Sequence, residues 1–146
     1  MIKRLHHTGF VVQDLESALG FYRDVVGLEV QRQYERKGTG IDQVIGYEDA
    51  HLKIALLGVT GHDHILELIQ YVNPPPKPRG TAERSVLGGS HLSFLVNDIQ
   101  ATFAKLSKNG GAQIMNPPAD VAPGRTACYL QDPEGNWVEL MQLAEE

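Results

Sequence analysis

HTGFVVQD, His7 to Asp14, returns as HLSFLVND, His91 to Asp98, at an offset of 84. His7 falls on His91, Phe10 on Phe94, Val12 on Val96 and Asp14 on Asp98. The match runs on through Leu15 and Ile99, Gly27 and Gly111, and Val30 and Ile114. Self-similarity carried over about two dozen positions marks a duplicated unit, not a chance dipeptide.

Each copy has a readable shape. LHHTGFVV and SHLSFLV are apolar and rich in β-branched residues, which predicts strands. Asp14 and Asp98 stand where a helix N-cap belongs. Leu15, Ala18, Leu19, Tyr22 and Val26 then follow helical spacing and make one apolar stripe. Gly27 ends that helix as a left-handed cap, and NGG (Asn109–Gly111) ends its counterpart. LEVQRQY and AQIMN follow as strands.

The later part of the unit repeats at an offset of 72, with ELIQ from Glu67 and ELMQ from Glu139. HILELIQYV and NWVELMQL read as strands, with HLKIALL and TACYLQ as their hairpin partners. TGHD and DPEGN supply the turns. Each unit is therefore strand, helix, then three strands. The expected organisation is one domain over 1–146, with a first βαβββ module over 1–73 and a second over 89–146. The linker, 74–88, is too rich in Pro and Gly for helix or central strand.

Composition bounds the function. A 146-residue chain, 42% hydrophobic and 21% charged, is globular. The net charge of −5 leaves no broad basic surface, which argues against nucleic acid. The run of Lys77, Arg79 and Arg84 reads as a solvated loop. Cys128 is the single cysteine, so no internal disulfide forms, and a buried, inert thiol is expected. No stretch approaches the ~20 apolar residues of a membrane span, and the N-terminus lacks a signal-peptide core, so a cytoplasmic protein is expected. No nucleophile elbow, phosphate loop or dinucleotide fingerprint follows a strand.

The chemistry sits in four residues. The repeat puts His7 and His91 at equivalent places, and Glu67 and Glu139 likewise. If the units pack about a pseudo-two-fold axis, two imidazoles and two carboxylates converge, a donor set for zinc, nickel, cobalt, manganese or iron(II). A glutamate inside an apolar strand is costly unless something neutralises it, and ILELI and WVELM each contain one. By strand alternation, Ile65, Ile69, Trp137 and Met141 share the faces of those glutamates and make apolar pocket walls. Arg125 is a candidate for an anionic substrate group. His6 is expected on the opposite face from His7, and His51, His62 and His64 have no histidine counterpart in the second unit.

LHHTGFVVQDLESALGFYRDVVGLEV resembles the opening of a vicinal oxygen chelate protein, and GSHLSFLVNDI with LQDPEGNWVEL resembles the second-module signatures of that superfamily. The resemblance spans nearly the whole chain and lies nearest the glyoxalase I and methylmalonyl-CoA epimerase types. It implies an α+β fold of paired βαβββ modules forming a half-open β-barrel around a metal site. Carried over residue by residue, the family's ligands fall on His7, Glu67, His91 and Glu139. A second carboxylate, Glu67, resembles glyoxalase I and departs from the two-histidine, one-carboxylate set of extradiol dioxygenases. The strand pair HLKIALLGVTGHDHILELIQY looks more like the epimerase arrangement.

The leading expectation is a metal-dependent isomerase, epimerase or lyase. A substrate with vicinal oxygens chelates the cation, an enediolate forms next to a carbonyl, and Glu67 or Glu139 takes and returns the proton. An iron(II) ring-cleaving dioxygenase and a non-catalytic small-molecule or antibiotic binder are the alternatives. The resemblance also implies a homodimer.

Overall fold

Asp14 does two jobs. Its carbonyl accepts from Ala18 N at 3.1 Å, and its Oδ1 accepts from Ser17 N at 2.8 Å, capping the helix that follows. Asp98 repeats this in the second unit, accepting from Ala101 N at 2.9 Å. A side-chain oxygen at this place satisfies a helix N–H that has no partner inside the helix.

The computed structural model describes residues 1–81, 83–109, 113–114 and 116–144. The chain divides into two compact units, one up to Pro78 and one from Arg79 onward. The first unit runs β1 (His7–Val12), α1 (Leu15–Leu19) with a π-helical continuation (Gly20–Val26), β2 (Glu29–Lys37), α2 (Thr39–Ile45), β3 (His51–Gly58) and β4 (Ile65–Asn73). The second runs β5 (Leu92–Leu95), α3 (Ile99–Asn109), β6 (Gln113–Ile114), β7 (Ala119–Ala122), β8 (Arg125–Gln131) and β9 (Trp137–Leu143). The order in the first sheet is β1-β4-β3-β2; in the second it is β5-β9-β8-β6, with β7 also on β8. The first strand lies parallel to the last in both, and the other pairs are antiparallel. Neither sheet closes on itself, and each carries the strand–helix–strands plan expected of a βαβββ module.

Alternation decides which face each sheet buries. In β1, Phe10 and Val12 are buried; in β4, Leu66 and Leu68 are. They pack with Leu15, Ala18, Leu19 and Tyr22 of the first helical segment, which are nearly solvent-free. Each buried Leu, Val or Phe among them contributes about 1.5–3 kcal/mol through burial. The second unit buries Leu92, Val138 and Leu140 with Ile99 and Leu106 of α3. Cys128 is buried there too, and burial pushes its thiol above the ordinary value.

The repeated glutamine explains why ELIQ and ELMQ recur whole. Gln70 Oε1 accepts from Leu15 N at 3.0 Å, and Gln142 Oε1 accepts from Ile99 N at 2.8 Å. Glutamate and glutamine are three residues apart, so they leave the strand on opposite faces. The glutamine ties the last strand to the start of the helix, and the glutamate is left for the other face.

Three features differ from the sequence reading. A helix, α2, stands between β2 and β3 where only a connection is expected. It buries no residue, so it shows no apolar stripe. Gly38 and Gly46 bound it at φ 95° and 75°, and Asp42 Oδ1 holds Ala50 N at 2.8 Å. The extra strand β7 lies between proline-rich stretches that read as loop. The first helix widens after Leu19, and Gly27 at φ 98° ends it as expected, its N–H on the Tyr22 carbonyl. The expected glycine stop at Gly110 and Gly111, and the Ala112 and Met115 ends of the AQIMN strand, lie outside the described residues. No helix among the described residues is long and apolar enough to cross a membrane.

Candidate functional site

Strand pairing brings each histidine to its glutamate. In the first unit β1 and β4 register His7 with Ile65, Gly9 with Glu67 and Val11 with Ile69. In the second, Ser93 pairs with Glu139 and Leu95 with Met141, and His91 stands just before β5. The histidine is thus two residues ahead of the position facing the glutamate in both copies, on the same face. His7 Nε2 lies 3.3 Å from Glu67 Oε2, and His91 Nε2 lies 3.6 Å from Glu139 Oε2. The imidazoles are 43% and 44% exposed and the carboxylates 15% and 17%, so each pair is covered at its base and open at its tip.

These separations suit two ligands on one cation. With metal–ligand distances near 2.1 Å, neighbouring donors lie about 3.0–3.4 Å apart in octahedral or tetrahedral geometry. The first pair falls in that range and the second just outside it. One neutral imidazole nitrogen and one carboxylate oxygen per unit make a donor set for borderline divalent cations. Among the described residues, no group of three or more His, Cys, Asp or Glu side chains is gathered to hold a metal ion. Each unit by itself presents two donors.

What stands behind each pair differs. His6 Nδ1 lies 2.8 Å from His7 Nδ1, with the rings edge to face at 5.1 Å. His7 thereby keeps Nε2 toward Glu67. A ligating histidine characteristically uses its other nitrogen in this way. The expected opposite orientation of His6 is overturned, because His6 precedes β1 and strand alternation does not govern it. His64 Nε2 lies 3.0 Å from Thr8 Oγ1 and His51 Nε2 lies 2.7 Å from Glu35 Oε2.

Beside His91 Nε2, the same nitrogen that faces Glu139, stands Tyr129, a residue the sequence reading missed. It pairs with Glu139 across β8 and β9. Its hydroxyl is 3.4 Å from His91 Nε2, and its ring meets the imidazole edge to face at 5.1 Å. Burial, then the charge and hydrogen bond of Glu139, raise its phenol above the ordinary value, partly opposed by Arg84. The available signal was alternation along TACYLQ, once Glu139 was given its hairpin partner.

The expected pocket-wall residues divide between the two units. Ile65 and Ile69 flank Glu67 along β4, and a side-chain carbon at Gly9 would meet Ile69 Cδ1 at 3.5 Å and Glu67 Oε2 at 3.6 Å. Trp137 and Met141 flank Glu139 along β9. Arg125 is exposed at the start of β8, four residues before Tyr129, roughly 13 Å along the strand. There it lines a cavity of about 500 Å³ with Asp120, Pro123 and Gln142.

The basic run is the exposed loop expected, but two of its members also reach across the second unit. Arg79 Nη2 donates to Asn136 Oδ1 at 2.7 Å. Asn136 Nδ2 in turn donates to Asp132 Oδ2 at 2.9 Å, both residues being the buried ends of the DPEGN turn. The Arg84 guanidinium lies 4.4 Å from the Tyr129 ring centre and 4.8 Å from that of Trp137. Both partners are about 45 or more residues downstream, where no local pattern announces them.

The model of the Glyoxalase/Bleomycin resistance protein/Dioxygenase superfamily matches residues 4–140. The chain is 28% identical over 148 residues to an ethylmalonyl-CoA/methylmalonyl-CoA epimerase of Cereibacter sphaeroides, covering 98% of this chain and 100% of that one. It is 25% identical over 143 residues to a probable lactoylglutathione lyase of Synechocystis, covering 96% and 95%. A glyoxalase family protein of Bacillus cereus has a crystal structure with a TM-score of 0.90 at 23% identity, covering 99% of this chain and 97% of that one. The chain belongs to the Glyoxalase/Bleomycin resistance protein/Dioxygenase superfamily and has its fold.

Proposed function

We propose that this protein is a divalent-metal-dependent isomerase, epimerase or lyase that moves a proton next to a carbonyl of a small molecule bearing vicinal oxygens. One observation carries the reading: the duplicated His–Glu pair, with the same register and the same partial cover in both units. Family membership and relatives named as an epimerase and a probable lyase support it.

In this reading His7, Glu67, His91 and Glu139 together hold one cation (zinc, nickel, cobalt or manganese). Bound there, the cation supplies Lewis-acid stabilisation of negative charge developing on the substrate oxygens. The remaining work falls to side chains. Glu67 or Glu139 accepts the proton from the substrate carbon, and the partly covered site keeps that carboxylate within reach. Return to the same carbon from the other side epimerises; return to its neighbour isomerises. Ile65, Ile69, Trp137 and Met141 exclude water around the reacting carbon. The free edges of the two open sheets suit a homodimer as the working form.

The test begins with elemental analysis of untagged protein beside the Glu67→Gln and His91→Ala variants. About one divalent ion per chain, lost in both variants, is expected. Zinc, nickel, cobalt or manganese then leads to deuterium exchange of 2-hydroxy and 2-keto compounds in D2O. No metal in wild type after reloading would overturn the reading; iron with oxygen uptake on catechols would replace it.

A further inference from the structure

Arg84 stands out among the cations of the second unit. It makes no ion pair with a carboxylate among the described residues, yet two aromatic rings hold it. Its guanidinium carbon lies 4.4 Å from the Tyr129 centroid and 4.8 Å from that of Trp137, both inside cation–π range. Tyr129 faces Glu139 across the strand pair and touches His91. Trp137 precedes Glu139 by two residues on the same face, and it is only 5% exposed. Arg84 therefore sits one ring's width from the second His–Glu pair.

The loop that carries it is held at both ends. Arg79 is bonded to Asn136 of the DPEGN turn. Gly89 N–H bonds to the Val86 carbonyl at 2.8 Å, and a side-chain carbon at Gly89 would lie 2.5 Å from the Arg84 carbonyl oxygen. Only glycine allows that approach, so the backbone of Arg84 is packed against its own loop.

A guanidinium stacked on aromatic rings retains its N–H edge. That edge is a planar fork matched to the two oxygens of a carboxylate. We infer that Arg84 is a specificity-determining residue that receives a substrate carboxylate beyond the reacting vicinal oxygens, so that the substrate class is an anionic acid. This rests on the proposed function for the reacting end, while the carboxylate contact itself requires only Arg84 and its two rings.

The test compares two acids that share an α-hydroxy acid head. Malate carries a second carboxylate, and 2-hydroxybutyrate has a methyl group in its place. Both are titrated by calorimetry into zinc-treated wild type, Arg84→Gln and Arg84→Lys. Trp137, the single tryptophan, reports the same binding by fluorescence. Wild type is expected to prefer malate by about tenfold or more, as befits a charge-assisted fork. Arg84→Gln should erase the preference with 2-hydroxybutyrate binding unchanged, and Arg84→Lys should keep part of it. A preference that persists in Arg84→Gln overturns the assignment, as does an equal loss for both acids or no binding of either to wild type. If wild type takes up no zinc but still selects malate through Arg84, the metal reading falls and the carboxylate site stands.

Discussion

The first unit sets His7 3.3 Å from Glu67, and the second sets His91 3.6 Å from Glu139, with exposures that agree within a few per cent. Behind His7, at Nδ1, stands another imidazole, His6; at His91 a phenol stands on the Nε2 side, with the guanidinium of Arg84 over that phenol. Duplication kept the donor pair, the strand register and the glutamine that ties strand to helix. Divergence changed the neighbours. A repeat under selection only for folding would have kept the buried faces alike and let the open ones drift. Here the four donors on the open faces are among the best-matched positions.

The sharpest way to break that equivalence is to neutralise one carboxylate at a time. Glu67→Gln and Glu139→Gln should each lower substrate proton exchange by about 10²–10⁴-fold, the usual contribution of a positioned base. If exchange in one variant recovers when metal is added in excess, that glutamate only holds the cation and the other is the base. Full recovery in both would sink the assignment of either as base.

The next contrast lies in the turns that lead into the glutamate strands. In the second unit Asp132 is fully buried; its Oδ1 accepts from Glu134 N at 2.9 Å and Asn136 N at 2.7 Å, and its Oδ2 from Asn136 Nδ2. In the first, Asp63 is 82% exposed and meets Arg4 at 2.9 Å. Losing several hydrogen bonds to a buried charge should make Asp132→Ala cost about 3 kcal/mol. Asp63→Ala, removing a surface pair in water, should cost under about 0.5 kcal/mol. Urea unfolding of the two variants measures both, and near-equal losses would show that the turns are not distinguished by burial.

A smaller, symmetric effect belongs to the glutamines. Gln70→Ala and Gln142→Ala each free one helix N–H at a partly buried place, and each should cost about 1 kcal/mol. Similar values would support the equivalence of the two units. A value near zero for one of them would mean that water replaces the glutamine there.

Much of this was legible in the sequence, because repeats and alternation are local patterns. The first strand of each unit (begun two residues too early in both), the caps at Asp14 and Asp98, and the ELxQ strands all follow from period two, period 3.6 or the offset itself. Helix α2 was not legible because it buries nothing, and hydrophobic periodicity only records burial. The π-helical widening after Leu19 was hidden because its apolar stripe also fits an α-helix. Tyr129 needed the hairpin register, and Arg79 and Arg84 needed tertiary contacts that no spacing rule encodes. The His–Glu pair within each unit needed the parallel pairing of the first strand with the last, which the repeat alone does not specify.

The smallest expected effect separates the sheet edges by charge. On the edge strand β2 of the first sheet, Glu35 accepts from His51 at 2.7 Å with Lys37 at 3.8 Å, whereas β7 in the second sheet offers Asp120 to the Thr126 hydroxyl at 2.6 Å. The His51 hydrogen bond, opposed by some desolvation and assisted by the charges of His51, Lys37 and Lys53, holds the Glu35 carboxyl below its ordinary value of 4.5. A carboxyl lowered in the folded state favours folding above its unfolded value, and that contribution disappears as pH falls through the folded value. Glu35→Gln should therefore be slightly destabilising above the ordinary carboxylate value, and less so as pH falls below it. The carboxylate is solvent-exposed, so the effect should also shrink as salt is added. Melting curves of the variant and wild type across that pH range provide the check. NMR titration of Glu35 in His51→Ala tests the cause: a carboxyl still lowered by the same amount would show that His51 is not what holds it.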